Sequence, residues 1–155
     1  MMSRTRKFPV VPIDEASSGA SSLIRPRVLV VDDESVIADT LTEILARSGY
    51  AAVAAYDGAG ALETALLSPP ALLITDVVLP GMSGIELAIQ MRRIFPDCKA
   101  LLFSGQACTS DMLASANRLG HQFTLLNKPV HPKDLLAWVM RTLKPEGVST
   151  AASPN

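Results

Sequence analysis

Residues 27–34 read RVLVVDDE, a continuous apolar, β-branched run that ends in three acids. A half-exposed strand alternates apolar and polar residues, whereas a strand covered on both faces of a parallel sheet does not. The run is therefore expected to be an interior strand over 27–31. Immediately after it, Ile37, Leu41, Ile44 and Leu45 recur at helical spacing, with Ser35 placed to cap the helix and Gly49 to stop it. The stretch decides the fold class because it joins a buried strand directly to an amphipathic helix.

The same unit recurs along the chain. AAVAA (51–55) leads to a helix over 58–67 closed by Pro69 and Pro70, and ALLIT (71–75) leads through a loop to a helix over 84–95. KALLF (99–103) precedes a weaker helix over 109–118, and QFTLL (122–126) precedes one over 132–143 with Pro132 in its first turn. Five strand–helix units predict an α/β domain: a doubly wound, five-stranded parallel sheet with helices on both faces. The helix over 109–118 has few large apolar residues, which makes it the candidate for the mobile element.

Composition bounds what such a domain can do. The chain has 155 residues, 48% hydrophobic, enough for one core. Its 14 basic and 15 acidic side chains set no overall field that would hold it on nucleic acid or anionic lipid. Residues 1–27 hold five basic residues against two acids, +3, leaving −4 for the rest of a chain whose total is −1. Pro9, Pro12, Gly19, Pro26 and the serines of SSGASS give 1–25 the composition of a flexible tail, and 145–155 read the same way, so the folded domain is expected over 26–144. Cys98 and Cys108 lie ten positions apart without metal-ligand spacing and read as ordinary thiols. No apolar run reaches the length of a membrane span and the start has no signal-peptide core, so a cytoplasmic location is expected.

In an open parallel sheet, ligands bind at the C-terminal ends of the strands. Polar residues gather there: Asp32, Asp33 and Glu34 after the first strand, Asp76 after the third, Ser104 after the fourth, and Lys128 with Pro129 after the fifth. Alone, the acids at 32–34 suit a helix N-terminus, Asp76 a turn, and Ser104-Gly105 a loop. Together they demand compensation. Three carboxylates at one point carry −3, and one Mg²⁺ with the Lys128 ammonium supplies +3. With the charge balanced, Asp76 is a credible nucleophile toward phosphorus, and Mg²⁺ and Lys128 would stabilise the transferring oxygens.

VLVVDDE (28–34), DVVLPGMSG (76–84), FSG (103–105) and NKPV (127–130) closely resemble the receiver domains of two-component response regulators, chemotaxis receivers among them, over about three quarters of the chain. The resemblance implies the flavodoxin-like (βα)5 fold, Asp76 as phospho-acceptor, Asp33 as a direct magnesium ligand and Asp32 as a ligand acting mainly through water. It also implies the Val78 carbonyl as a metal ligand, Ser104 as the hydroxyl that follows the phosphoryl group, Lys128 as its cationic partner, and a cis Lys128–Pro129 bond. A sensor histidine kinase or histidine phosphotransfer protein would be the donor, and an unidentified effector protein the recipient of the signal. The effector, or a second copy in a homodimer, would meet the face made by the fourth helix and the fifth strand and helix.

One position departs from the pattern. Receivers carry an aromatic residue three before the lysine, where this chain has Leu125, with Phe123 two residues earlier. Phe123 is expected in the core, as is Trp138 beside Leu135 and Val139, and switching is expected to rest on Ser104 and the loop 105–109. His121 and His131 read as a helix end and a pre-proline loop residue. An aspartate-based phosphatase would need an Asp-x-Asp directly after the first strand, where 32–34 read Asp-Asp-Glu. A phospho-accepting signalling domain, rather than an enzyme with its own substrate, is the reading that remains, with a non-phosphorylated pseudo-receiver that only binds partners as the alternative. The 11 residues over 145–155 are too few for a DNA-binding helix-turn-helix, so direct DNA binding is not expected.

Overall fold

The computed structural model describes residues 25–105, 109–121 and 123–144. The expected tails, apart from Arg25, lie outside the described residues, as do Cys108 and most of the loop 105–109. The elements run β1 (Arg27–Val31), α1 (Ser35–Arg47), β2 (Ala51–Ala55), α2 (Gly58–Leu67), β3 (Leu72–Asp76), α3 (Gly84–Ile94), β4 (Lys99–Ser104), α4 (Thr109–Arg118), β5 (Thr124–Asn127) and α5 (Pro132–Thr142). The strands form one parallel sheet in the order β2-β1-β3-β4-β5. The order reverses between β1 and β3, so the crevice for a ligand opens above the tips of these two strands.

Strand alternation divides the interior into two cores. Leu29, Val31, Leu73 and Leu102 point to one face, where α2, α3 and α4 contribute Ala61, Ala65, Leu87, Met91 and Ala116. Val28, Val30, Ile74, Leu101 and Phe103 point to the other, where α1 and α5 contribute Ala38, Leu45, Leu135 and Val139. Both faces of β1 and β3 are therefore sealed, which is why their sequences are continuously apolar. Phe123 and Leu125 both pack on the first core and Trp138 on the second, all three partly buried.

Local chemistry sets the helix ends. Ser83 and Glu86 form a reciprocal capping box at α3, and Asp57 accepts from the Gly60 amide at 2.7 Å to start α2. One assignment changes and one, His131 as a loop residue before proline, gains a capping role. Ser35 is the first helical residue of α1, and Glu34 holds the cap position without a side-chain bond. His131 caps α5, its Nδ1 accepting from the Lys133 amide at 3.1 Å ahead of Pro132. Gly49 follows α1 at φ +103°, a left-handed conformation suited to glycine. Strand bounds shift by one or two residues: β3 is 72–76 and β5 is 124–127. No helix among the described residues is long and apolar enough to cross a membrane.

Candidate functional site

The candidate residues converge because four strands end at one edge of the sheet. β1 delivers Asp32, whose amide donates to the Ala55 carbonyl at 3.2 Å, so the chain is still held to the neighbouring strand at this residue. Asp76 is the last residue of β3 and pairs in register with Phe103; Ser104 ends β4 opposite Asn127 of β5. The Lys128 amide donates to the Ser104 carbonyl at 2.9 Å, which ties the loop after β5 to the tip of β4. The Lys128–Pro129 bond is cis.

Asp32, Asp33 and Asp76 each offer a carboxylate oxygen within 4.8 Å of the others. Asp32 is 1% exposed and Asp76 8%, while Asp33 is open to solvent. The Lys128 Nζ donates to Asp32 Oδ2 and to Asp76 Oδ2, both at 3.0 Å, and so bridges two strand tips. The other oxygen of each buried acid also has a donor: Asp32 Oδ1 accepts from the Glu34 amide at 2.9 Å and Asp76 Oδ1 from the Val78 amide at 3.3 Å. Burial pushes the Lys128 ammonium down, but its hydrogen bonds to Asp76 and Asp32 and their charges outweigh this, so its pKa lies above the ordinary value. Ser104 is 3% exposed at the same edge.

The carboxylates of Asp33 and Asp76 are thus close together and the Lys128 amine faces inward, the two geometric conditions on which the charge argument depends. Three carboxylates against one ammonium leave −2, an excess that a divalent cation would neutralise. The donor set is all oxygen, and its spread is close to the ~4.2 Å across a six-coordinate Mg²⁺ shell with ~2.1 Å bonds. A soft-metal site would need Cys or His, and among the described residues neither joins the cluster.

The sequence model of the response regulator receiver domain matches residues 28–140. The chain belongs to this family. Among curated relatives, the response regulator receiver protein CpdR of Brucella abortus is 32% identical over 117 residues, covering 76% of this chain and 96% of that protein. The probable transcriptional regulatory protein TcrX of Mycobacterium tuberculosis is 30% identical over 126 residues, 81% of this chain and 53% of that protein. The chain spans about half of TcrX and 18% of the putative Arabidopsis thaliana response regulator ARR21, so for those two the likeness concerns only a part. Of the solved structures, a CheY-like receiver domain protein from Methanospirillum hungatei superposes with a TM-score of 0.73 at 27% identity, covering 81% of this chain and 99% of that one. Receiver domains of two-component systems normally bind Mg²⁺ and accept a phosphoryl group, and the cluster of Asp32, Asp33 and Asp76 could hold a metal ion.

Several contacts of this receiver domain were not legible from local sequence. Gly84 lies against β3: a Cβ at this position would fall 1.9 Å from the Asp76 carbonyl oxygen. The Arg92 guanidinium covers the Phe123 ring at 4.6 Å, with His121 stacked on the same ring at 6.1 Å between centroids. Tyr56 donates to Asp39 Oδ1 at 2.6 Å, linking the tip of β2 to α1. Of these, only Gly84 left a sequence signal, the Pro-Gly-Met-Ser-Gly run at 80–84.

Proposed function

We propose that Asp76 accepts a phosphoryl group from the phosphohistidine of a sensor kinase or phosphotransfer protein, and that the modified domain changes which proteins it binds. The observation that carries this reading is the Lys128 ammonium 3.0 Å from both Asp32 and Asp76 beside the open Asp33 carboxylate. An Asp76 oxygen forms the new O–P bond while the P–N bond of the donor breaks. The imidazole nitrogen keeps the bonding pair and, with a proton from the ring or from solvent, leaves as neutral histidine.

Asp33, Asp76 and the Val78 carbonyl would hold Mg²⁺ directly and Asp32 mainly through water. The bound ion supplies positive charge beside oxygens on which negative charge collects. Lys128 keeps Asp32 and Asp76 together beforehand and then donates to the transferred group. Ser104, at the β4 tip, donates to a phosphoryl oxygen and draws its loop toward Asp76. The phosphoryl group adds roughly two negative charges and strong acceptors, so the drawn-in arrangement is favoured once Asp76 is modified. Because Leu125 replaces an aromatic, the response rests on Ser104 and the loop 105–109.

The effector would meet the face of α4, β5 and α5, where Asn127, Pro129, His131, Trp138 and Arg141 line a groove of about 280 Å³. A homodimer would use the same face. The site of action is the cytoplasm, where kinase and effector are present. The test is incubation with acetyl phosphate or a phosphorylated kinase. Labelling that needs Mg²⁺, is released by hydroxylamine and disappears in Asp76→Asn supports the proposal. Labelling that persists in a folded Asp76→Asn protein moves the acceptor elsewhere, and no labelling by any donor makes the chain a pseudo-receiver.

A further inference from the structure

At the end of the sheet opposite Asp76, a cavity of about 550 Å³ opens between the turn after α1 and the C-terminal end of α5. Its apolar lining comes from Pro26, Tyr50, Ala137, Met140 and Leu143, and its cationic rim from Arg141 and Lys144. The size is that of sites that hold small apolar ligands. Met140 is 64% exposed although it belongs to a helix whose neighbours Leu135 and Val139 are fully buried. The Arg141 guanidinium lies 4.9 Å from the Trp138 ring, so an indole lies just beyond the rim. Nothing in the proposed phosphoryl chemistry uses this groove.

Pro26, the residue through which the preceding chain joins β1, is itself part of the lining. Upstream stands the segment Phe8–Ile13, FPVVPI, followed by Asp14 and Glu15. We propose that Phe8–Ile13 docks in this groove as an intramolecular proline-rich ligand. Three properties of the segment match the groove. Pro9 and Pro12, spaced as Pro-x-x-Pro, each have a fixed φ, a sequence property that lowers the entropy lost when such a segment docks as a polyproline ligand against an aromatic-lined apolar groove. Asp14 and Glu15 follow the apolar residues directly and meet the Arg141 and Lys144 rim, which also sets the direction of docking, since Arg4, Arg6 and Lys7 must then point away. The 13 residues from Ile13 to Pro26 reach at most about 43 Å, enough to fold back on a groove that begins at Pro26.

Tethering makes weak contacts sufficient. A short flexible linker presents its end at about millimolar effective concentration, so a segment with a dissociation constant of about 1 mM in free solution is docked about half the time.

The experiment uses the full chain and two readouts: the methyl resonance of Met140 by NMR, and the rate of tryptic cleavage after Lys7. Val10→Ser with Val11→Ser should shift the Met140 methyl. Met140→Asp, at an exposed position and with the cleavage site unaltered, should speed cleavage about twofold, as expected when a half-docked segment is released. Combining the three substitutions should give no further acceleration over Met140→Asp. An unmoved Met140 methyl, or cleavage unaffected by Met140→Asp, overturns the proposal. A Met140 shift that grows with protein concentration also overturns it, by assigning the groove to a second copy of the chain.

Discussion

Breaking the contact between Lys128 and Asp76 should cost far more stability from the lysine end than from the aspartate end. At an effective dielectric constant of about 20, the 3.0 Å ion pair is worth ~5 kcal/mol, and the repulsion of Asp76 by each of two carboxylates within 4.8 Å is at least ~3 kcal/mol. Asp76→Asn therefore loses one attraction and relieves two repulsions of comparable total size, and the exposure of Asp33 trims the second. Its net effect on stability without metal should be within about 1 kcal/mol of zero, by the same arithmetic. Lys128→Met keeps the aliphatic stem but leaves Asp32, 1% exposed, and Asp76 without their shared cation.

Removing one partner of a fully buried pair costs about 3–5 kcal/mol; with the Lys128 side chain 23% exposed, about 2–4 kcal/mol is expected. For a domain of this size that is a fall in melting temperature of about 10 °C. Urea unfolding of both variants in EDTA at low ionic strength gives the comparison directly, with m-values checked for constancy. Equal losses in the two variants would mean that the contact acts as an isolated ion pair and that the carboxylates do not strain one another, which refutes the charge argument from which the metal site was inferred.

Mg²⁺ at ten times its dissociation constant should stabilise the protein by about 1.4 kcal/mol, and Asp33→Asn should remove most of that gain; a melting curve indifferent to Mg²⁺ counts against the site. Gly84→Ala should cost more than about 2 kcal/mol in chemical denaturation, since a Cβ 1.9 Å from the Asp76 carbonyl forces backbone to move; a neutral result would mean that Gly84 does not pack against the β3 main chain. The raised pKa of Lys128 sets an alkaline limit: its contribution is fully present below the ordinary value of 10.5 and is lost as pH rises through the higher folded value. Stability measured toward that range should fall less steeply in Lys128→Met than in the parent protein.

The fold was legible because its determinants are local. A strand sealed on both faces must be continuously apolar, and five such runs joined to helical patterns leave few topologies. The candidate site was legible for a related reason: Asp32, Asp76, Ser104 and Lys128 each stand directly at a strand end, and a parallel sheet gathers those ends at one edge. Contacts that join distant segments carry no such mark. The Tyr56 hydroxyl reaches Asp39 across 17 residues and Arg92 covers the Phe123 ring, and no spacing in the sequence shows either. The misplaced start of α1 has a local cause. Asp32 Oδ1 already accepts from the Glu34 amide, so the acid two residues earlier satisfies the helix start and leaves the Ser35 hydroxyl no capping role.

Leu125 raises the question of how a change at Asp76 would travel. Phe123 cannot replace the missing aromatic. It precedes β5, four residues from Asn127, which at about 3.3 Å per residue places it ~13 Å down the strand from the site. Its ring is also held by Arg92 and His121, contacts that a rotation would break. The path that exists instead is main chain: Ser104 ends β4, its carbonyl accepts from the Lys128 amide, and the Lys128 ammonium grips both buried acids. In the proposed switch, pulling Ser104 toward Asp76 therefore moves the turn after β5 and the start of α5 without any side-chain rotation, and Leu125 needs only to remain packed while it happens.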